Sequence, residues 1–443
     1  MADENKQLFR QQVKKKLETF FDKNLVTRMG HRSGFVQRKP QKISAIGFVI
    51  GFFESCTKGS FTYQQWAAEI GNWSGKLVSK QALYDRVNSP ASVDFAKALF
   101  TQAMGKKITA VTDGSLFSTF KRVLLQDSTT LSLPENLKDQ YPGNMSGGKQ
   151  KALARLQCLI NIKTMQWLEV ALHPFTSNDQ SASKLVLPML KKGDLLIRDL
   201  GYFVTGVFEQ IQQQQAFYIS RLRYGMTMYD DNGKVINWKQ LCKNKGAIDQ
   251  LIKISHNHKL SLRIVMIPLP KAIFAEKIRK AKADRDKRLN HSEDYYLWLR
   301  YNVFITNVPI TTLNTIQISE VYKVRWQIEI LFKSWKSCLH LQKMLHERCT
   351  NIYRAQTSIY LTLMFFTIII GKVYMLYEKR VFKLCGKHLS LIKVCAYAST
   401  NLLSLILKTG TNLQLTLASK CCYESRNDRQ NMTHLIRKTF TLT

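Results

Sequence analysis

The stretch YKVRWQIEILFKSWK, from Tyr322 to Lys336, combines a single acidic residue with four basic residues, two tryptophans and a tyrosine. In an α-helix, which turns by about 100° per residue, one narrow face collects Tyr322, Arg325, Glu329 and Lys336. Lys333 lies beside that face. A second, apolar arc of the same helix would pack on a core, and it comprises Val321, Val324, Ile328, Leu331, Trp335 and Leu339. The stretch therefore predicts a helix that holds one carboxylate among cations at the border of a buried surface.

Two interpretations of this helix remain open on the stretch alone. In the first, it is an amphipathic surface helix in which Arg325 and Glu329 form an i,i+4 ion pair worth about 0.3 kcal/mol. In the second, Glu329 is a functional carboxylate, and the cations around it bind a negatively charged ligand. The rest of the chain has to decide between them.

Composition and charge favour a polyanionic ligand. The chain has 443 residues, a formal net charge of +35 and a pI near 9.9, and 45% of its residues are hydrophobic. Such a chain folds around a sizeable core and contains more than one structural unit. Its excess positive charge attracts polyanions, so nucleic acid is the first candidate partner and a membrane surface the second.

No membrane span or secretory signal is predicted. The N-terminal sequence MADENKQLFR has no apolar segment behind its charges. The uncharged segment 355–371 has 17 residues, just under the roughly 18–20 that cross a bilayer, so a buried core helix is predicted. The nine cysteines form no CxxC pair and have no histidine at zinc-finger spacing. They are expected to be reduced thiols, which indicates a cytoplasmic protein.

The N-terminal region is predicted to be helical and DNA-binding. Between Arg10 and Lys42 there are ten basic residues and two acidic ones. Farther along, Tyr63–Ile70 and a second segment capped by Ser79 and ending at Val87 form a candidate helix-turn-helix. Any two short helices can imitate this pattern, so the surrounding charge is the main argument for DNA contact. The side chains expected to face a DNA groove are Lys80, Gln81, Tyr84, Asp85 and Arg86.

The middle of the chain is predicted to form β-strands from about residue 106 onward. The first runs are ITAVTDG, RVLLQDST, RLQCLINIKT and QWLEVALHP, of which the last two form a hairpin, followed by a helix in DQSASKLVLPMLKK and a strand in DLLIRDLGYF. Residues 205–308 add the predicted strands AFYISRLR, KLSLRIVMIPLP and YYLWLRYNVFITNV, a hairpin in MTMYDDNGKVINW and a basic helix in KAIFAEKIRKAKADRDKRL. Residues 337–443 are expected to be helical and basic.

Three carboxylates stand out against these elements. Asp127 and Asp199 each follow an apolar run at the end of a predicted strand. A charge in such a place is costly without a partner or a metal, although an aspartate can also cap the next turn. Together with Glu329 they form an all-carboxylate set of the kind that Mg²⁺ prefers, and two such ions can promote in-line displacement at phosphorus. Phosphates near the reacting one would then be bound by Arg325, Lys333 and Lys336.

The spacing Tyr322-x2-Arg325-x3-Glu329-x6-Lys336 resembles the Y-x2-R-x3-E-x6-K signature of the DDE transposases of the insertion-sequence-four family. DSTTLSLP at Asp127 and LLIRDLGYF at Asp199 resemble the two aspartate segments of that family, and YPGNMSGGKQKA is also similar to it. The resemblance covers residues 116–344.

This resemblance implies an α/β fold with a ribonuclease-H-like catalytic core and a β-rich insertion, plus helical N-terminal and C-terminal regions. The first aspartate would lie on the opening strand, the second on the fourth, and the glutamate on a later helix. The implied division is 1–105 (helical, DNA-binding), 106–204 (first part of the core), 205–308 (β-rich insertion), 309–375 (second part of the core) and 376–443 (helical C-terminal region).

The resemblance also implies cut-and-paste DNA transposition. Water cleaves one strand at the element's end, the freed 3′-hydroxyl makes a hairpin with the opposite strand, and the reopened end is joined to target DNA. Asp127, Asp199 and Glu329 would hold two Mg²⁺ ions, for which Mn²⁺ can substitute. Tyr322, Arg325 and Lys336 would contact DNA phosphates. The implied partners are double-stranded DNA, as terminal inverted repeats and target, and a second copy of the chain on paired ends, in a bacterial cytoplasm at the nucleoid.

Several alternatives stay open. Asp113 in AVTDGS rivals Asp127 as the first aspartate, because it also follows a β-like run. Some family members stack a flipped base on a tryptophan in the strand before the signature. Asn302 stands at that place here, so Trp298 or Tyr301 would have to substitute. A metal-dependent nuclease that does not join DNA, and an inactive DNA-binding remnant acting as a repressor, are the rival functions.

Overall fold

The protein is described from a computed structural model, which places residues 2–38, 42–56, 61–105, 116–242, 246–254, 260–284, 292–348, 351–408 and 410–424. Its strands are β1 (Val123–Leu133), β2 (Pro142–Ser146), β3 (Lys149–Asn161), β4 (Gln166–Pro174), β5 (Leu195–Arg198), β6 (Phe217–Arg221), β7 (Ile248–Ile254), β8 (Leu260–Pro268) and β9 (Tyr301–Thr306). The predicted strand ITAVTDG, and with it Asp113, lies outside the described residues.

Helices make up most of the remaining described chain. The first ten are α1 (Ala2–Phe20), α2 (Lys23–Arg32), α3 (Ala45–Cys56), α4 (Tyr63–Ser74), α5 (Lys80–Val87), α6 (Pro90–Gly105), α7 (Asp179–Ala182), α8 (Thr205–Gln213), α9 (Trp238–Leu241) and α10 (Lys271–Ala283). The others are α11 (Glu293–Leu299), α12 (Thr315–Lys323), α13 (Trp326–Lys333), α14 (Leu341–Arg348), α15 (Ile352–Ile369), α16 (Met375–Cys385), α17 (Leu391–Thr400), α18 (Leu402–Leu407) and α19 (Gly410–Lys420).

A nine-stranded mixed sheet forms the centre of the fold, which is α/β as predicted. The strands follow the order β2-β3-β1-β5-β6-β9-β8-β7, and β4 pairs with β3. The pairs β1–β3 and β3–β4 are antiparallel, which confirms the predicted hairpin, whereas β5 runs parallel to both β1 and β6. The strands from β6 to β9 thus continue the sheet that β1 begins.

Both faces of the sheet are covered, which explains the nearly continuous apolar character of its inner strands. One core cluster joins the sheet to the N-terminal and C-terminal helices, where Phe53 of α3 stacks on Phe365 of α15 with ring centroids 4.2 Å apart. A second cluster on the opposite face includes α8 and the inner side of β7 and β8. The helical terminal regions therefore share a core with the sheet.

The long apolar helix is a core element, as expected from its length. Residues 352–385 form a continuous helical segment, with a π-helical turn at Ile370–Tyr374 between α15 and α16. By length and composition alone this segment could cross a membrane, but 67% of its most apolar window is buried inside the protein. Buried Ser92 of α6 and Thr357 of α15 are joined by a hydrogen bond of 2.9 Å.

The predicted helix-turn-helix is present as α4 and α5. Ser79 caps α5 by accepting a hydrogen bond from the backbone N–H of Ala82, as the sequence predicted. Lys80 and Gln81 are exposed. Arg86, in contrast, is used in packing, because its guanidinium donates to the carbonyl of Phe35 and lies over that ring.

Two other predicted elements differ from the structure. YYLWL is helical (α11) rather than extended, because Ser292 accepts a hydrogen bond from Tyr295 N–H at the helix start and two acidic residues follow in the first turn. The strand begins only at Tyr301. The predicted hairpin in MTMYDDNGKVINW is reduced to a single bridge between Tyr229 and Val235 around its turn.

The predicted helix in DQSASKLVLPMLKK is also shorter than expected. Its α-helical part is α7, only four residues long, and a 3-10 helix from Ser183 to Met189 follows. Pro188 lies inside that second segment and has no N–H to continue an α-helix.

Candidate active site

The register of two parallel strands brings Asp127 and Asp199 together. Gln126 of β1 pairs with Arg198 of β5. The residues that follow them, Asp127 and Asp199, therefore lie side by side. Asp127 was predicted at the end of a strand, but it lies within β1, because this strand continues along β3 beyond its pairing with β5. Asp199 directly follows β5, as predicted, and precedes a 3-10 turn, Leu200–Tyr202. The preceding strand is the fifth in chain order rather than the fourth, because the short β2 adds one.

The quoted stretch runs from the end of α12 through a tight turn into α13, and it ends in a π-helical turn, Ser334–Cys338, which carries Lys336. Asn314 begins α12 with a capping box that includes Gln317. Around Arg325 the backbone switches to i→i−3 hydrogen bonds, from Arg325 N–H to Tyr322 C=O at 3.0 Å and from Ile328 N–H to Arg325 C=O at 3.1 Å. The single continuous helix predicted from the sequence is therefore wrong, but the tighter turn keeps Arg325 and Glu329 on a common side.

All three predicted carboxylates meet the guanidinium of Arg325. Its nitrogens lie 2.7 Å from Asp127 Oδ2, 2.8 Å from Glu329 Oε1 and 3.8 Å from Asp199 Oδ1. The i,i+4 pair of the first interpretation is thus present, yet the same arginine also reaches both aspartates, about 130 and 200 residues away in sequence. A simple surface pair does not account for this arrangement.

The electrostatics of the cluster are unbalanced. Burial raises the pKa of Asp127 to about 6, although the Arg325 guanidinium and the Ser128 N–H lower it. Burial alone would lower the pKa of Arg325, but Tyr322 and the three carboxylates raise it above its ordinary value. One guanidinium faces three acids, so the cluster can accept further positive charge.

Tyr322 connects the helix pair to the second aspartate. Its hydroxyl donates a hydrogen bond of 3.3 Å to Asp199 Oδ1. Its buried ring packs on Phe304 with centroids 5.0 Å apart, and the exposed Arg221 lies over it at 5.5 Å. Burial raises the pKa of Tyr322, which keeps the hydroxyl protonated as a donor at neutral pH.

An open cleft of about 480 Å³ exposes this cluster to solvent. It is lined by Asp127, Ser128, Thr129, Asp199, Arg325, Glu329, Phe332, Lys333, Lys336 and Ser337. Lys333 is exposed, and burial lowers the pKa of the half-buried Lys336. The cleft thus collects all three predicted acids and three of the predicted cations.

Trp298 lies outside the cleft. It is part of α11 and packs edge-on against Trp238, with ring centroids 4.6 Å apart, and against Tyr224 at 5.8 Å. Tyr301, the alternative stacking residue, is buried at the start of β9. Because β9 runs antiparallel to β6, its start nevertheless lies at the sheet edge where β5 and β6 end.

The donor atoms of the cleft suit a hard divalent cation such as Mg²⁺, because all three acids offer carboxylate oxygens. Across the described ranges, no group of three or more acid, histidine or cysteine side chains is already gathered as a metal site. The guanidinium of Arg325 stands between the carboxylates and balances one of their three charges. The residues therefore fit a metal in chemistry and charge, with Arg325 as its competitor.

Sequence reasoning missed a second polar group directly behind the cleft. Asp179, the first residue of α7, accepts hydrogen bonds from Ser128, Arg155 and Gln157. These donors lie between 22 and 51 residues away, and the local sequence has no signal for them. Only the paired strands β1 and β3 bring them together.

Comparison with known proteins identifies the family. Residues 118–364 match the family model described as "Transposase DDE domain". The chain belongs to this DDE transposase family. This match confirms the family resemblance of the sequence motifs, and it identifies the protein as an enzyme that acts on DNA.

Individual relatives agree with the family assignment. The "Transposase for insertion sequence element IS231E" of Bacillus thuringiensis subsp. finitimus is 28% identical over 80% of this chain and 79% of that protein. The IS231F transposase of B. thuringiensis subsp. israelensis is 30% identical over 65% of this chain and 64% of that protein. These relatives fit the insertion-sequence-four label.

A solved structure with similarity to the chain is the cryo-EM structure titled "piggyBac transposase synaptic complex with hairpin DNA". The structural match covers 94% of this chain and 87% of the piggyBac transposase chain, with 9% sequence identity and a TM-score of 0.41.

Proposed function

We propose that this DDE transposase cleaves DNA at the ends of a mobile element and joins the ends to target DNA at the cleft around Arg325. The observation that carries the proposal is the in-register pair Asp127 and Asp199, with Glu329 brought to it by one shared arginine. A surface ion pair between Arg325 and Glu329 would not need two aspartates that the pairing of β1 and β5 brings together. Cations at the rim of the same cleft suit a phosphate backbone.

The chain's own residues have distinct roles in this proposal. Asp127, Asp199 and Glu329 would hold two Mg²⁺ ions, for which Mn²⁺ can substitute, and such ions would supply charge stabilisation for an in-line displacement at phosphorus. Lys333 and Lys336 hold DNA phosphates, while Tyr322 keeps Asp199 oriented through its hydroxyl and approaches the same strand.

Arg325 exchanges one anionic partner for another in this scheme. In the structure its guanidinium balances one of the three carboxylate charges through contacts to separate carboxylates, and a DNA phosphate offers it a single partner for a bidentate contact. Each chemical step then needs the reacting phosphate in the same position, because nicking, hairpin formation and joining differ only in the attacking oxygen. Trp298 remains a candidate for base stacking at the same sheet edge.

The sheet order supports a ribonuclease-H-like core. Three antiparallel strands, β1, β3 and β4, are followed across the sheet by the parallel strands β5 and β6. We assign residues 106–204 and 309–375, together with β6, to that core, and the rest of residues 205–308 to a β-rich insertion. The flanks 1–105 and 376–443 are assigned to the N-terminal and C-terminal regions, whose described parts are helical.

DNA recognition and assembly complete the proposal. The exposed face of α5 and the basic N-terminal region bind the terminal inverted repeats, and two protomers act on paired ends. Counterion release makes this binding fall steeply with salt. The protein is proposed to act on DNA in a bacterial cytoplasm, at the nucleoid.

The proposal is tested with purified protein, Mg²⁺, a labelled duplex that carries the inverted repeat flanking its gene, and a target plasmid. Cleaved, hairpin and joined products are expected on a sequencing gel. Cleavage without joining would indicate the nuclease instead. A gel shift without any cleavage would indicate the DNA-binding remnant.

A further inference from the structure

Asp179 lies directly behind the two aspartates of the cleft. Its Oδ1 accepts three hydrogen bonds, from Ser128 Oγ at 2.8 Å, from an Arg155 nitrogen at 2.9 Å and from Gln157 Nε2 at 3.0 Å. Ser128 is the neighbour of Asp127 in β1, and its backbone N–H donates to Asp127 Oδ1 at 2.8 Å. Asp179 thus holds the strand segment that carries the first aspartate.

The same carboxylate also contacts the turn that follows the second aspartate. Gly201 lies two residues after Asp199, and a Cβ placed on it would be 2.9 Å from Asp179 Oδ2 and 3.3 Å from Asp179 Cβ. A side chain at this position would therefore displace the Asp179 carboxylate. The next residue, Tyr202, donates from its hydroxyl to Gln157, which itself donates to Asp179. Asp179 is linked to both aspartate segments by separate contacts.

These contacts engage both oxygens of Asp179 within the fold. One oxygen is saturated by three donors, and the other packs against Gly201. The side chain is also absent from the lining of the cleft. Asp179 is a fourth carboxylate near Asp127, and it adds to the local negative charge. This repulsion must be offset by a structural or functional contribution of Asp179.

We propose that Asp179 is a positioning residue that fixes the separation of Asp127 and Asp199. It does so by joining Ser128 on one side to the turn at Gly201 on the other. This inference rests on the proposed function, because it assumes that the two aspartates hold the metal ions. Partners behind metal ligands typically matter by about 10- to 100-fold in metal affinity or activity.

The test compares Asp179→Asn with a matched control, Asp194→Asn. Asp194 also pairs with an arginine, Arg122, beside the same two strands, but at their opposite end. Mn²⁺ affinity of the DNA-free full-length protein is measured by electron paramagnetic resonance. Single-turnover cleavage and DNA affinity are measured on the element-end duplex, and melting temperature reports stability.

For Asp179→Asn we expect Mn²⁺ affinity and the cleavage rate to fall by about 10- to 100-fold, with DNA affinity within about twofold of the parent. Asp194→Asn should lower the melting temperature and leave Mn²⁺ affinity unchanged. Gly201→Ala pushes Asp179 from its other side, and Ser128→Ala removes one link, so both should repeat the loss of Mn²⁺ affinity even if Asp179→Asn folds poorly.

Parent-like Mn²⁺ affinity in all three cleft-side variants would overturn the inference. So would an equal loss in the Asp194→Asn control, because Asp179 would then act only through stability. If the parent protein binds Mn²⁺ but cleaves no element-end DNA, the proposed function fails, while the Mn²⁺ comparison still decides the role of Asp179.

Discussion

Arginine and aspartate meet at both ends of the segment over which β1 and β5 are paired, 123–126 with 195–198, but in different proportions. At the start of the strands, Arg122 and Asp194 form a closed pair. Arg122 Nε donates to Asp194 Oδ1 at 2.9 Å, and the backbone N–H of Lys191 donates to Oδ2 at 2.7 Å. The Asp194 side chain is only 1% exposed. Here one acid meets one base, and its oxygens are satisfied.

At the other end, the guanidinium of Arg325 lies within 3.8 Å of three carboxylates, those of Asp127, Asp199 and Glu329. The side chains of Asp199 and Glu329 are 42% and 43% exposed, in an open cleft. The difference indicates that the first end stabilises the fold, whereas the second end keeps negative charge available to cations. Substitutions at the two ends should therefore have opposite effects on stability.

The largest expected effect on stability is at the closed end. Arg122→Ala leaves the buried Asp194 without its charged partner, which should cost about 3 kcal/mol of unfolding free energy. Urea unfolding at pH 7 measures it. An Arg122→Ala variant as stable as the parent would show that the closed pair does not stabilise the fold.

The open end should respond in the opposite direction. Burial raises the pKa of Asp127 from 3.8 to about 6, so the folded state binds this proton more tightly than the unfolded state. Ionised Asp127 therefore destabilises the fold above pH 6, and this penalty disappears as the pH falls towards 4. The metal-free Asp127→Asn variant should be more stable than the parent at pH 7, by about 2 kcal/mol or less.

Unfolding free energies at pH 7, 5.5 and 4.5 check this prediction. The advantage of the variant should shrink steadily across the series. A variant that is less stable than the parent at pH 7 would contradict the idea that the open end is strained by excess acid.

The smallest effect concerns the competition between Arg325 and a metal. Arg325→Gln removes the cation that the three carboxylates share, so Mn²⁺ affinity of the DNA-free protein should rise about tenfold, or about 1.4 kcal/mol. Arg300→Gln is the matched control, because it removes the same charge from a residue that packs on Phe274. Weaker Mn²⁺ binding in Arg325→Gln alone would mean that Arg325 organises the acids instead of competing for them.

Local sequence signals were sufficient for the elements that carry the site. Apolar runs located β1 and β5, and the cap at Ser79 located α5. The face that joins Tyr322, Arg325 and Glu329 was predicted from helical spacing, and it persists although the helix is interrupted at Arg325. It persists because the tighter turn changes the rotation only slightly over a few residues.

Sequence reasoning missed one local signal and several long-range contacts. The aromatic run YYLWL has no clear period, so the competing signal at Ser292, a helix cap, was overlooked. Asp179 has partners on β1 and β3, which no spacing along the chain reveals. The convergence of Arg325 on Asp127 likewise depends on pairing across 198 residues.

In the proposed mechanism Asp127, Asp199 and Glu329 form one catalytic metal site rather than a surface ion-pair cluster. Cleavage of the element-end duplex in Mg²⁺ by Glu329→Gln tests it most directly, with folding checked by circular dichroism. Glu293→Gln is the matched control, because Glu293 forms an exposed ion pair with Lys239. Losing a metal ligand should remove about 4 kcal/mol of transition-state stabilisation, roughly 10³-fold in rate, while DNA binding persists and the control cuts normally. A folded Glu329→Gln protein that cuts at the parent's rate would contradict the account.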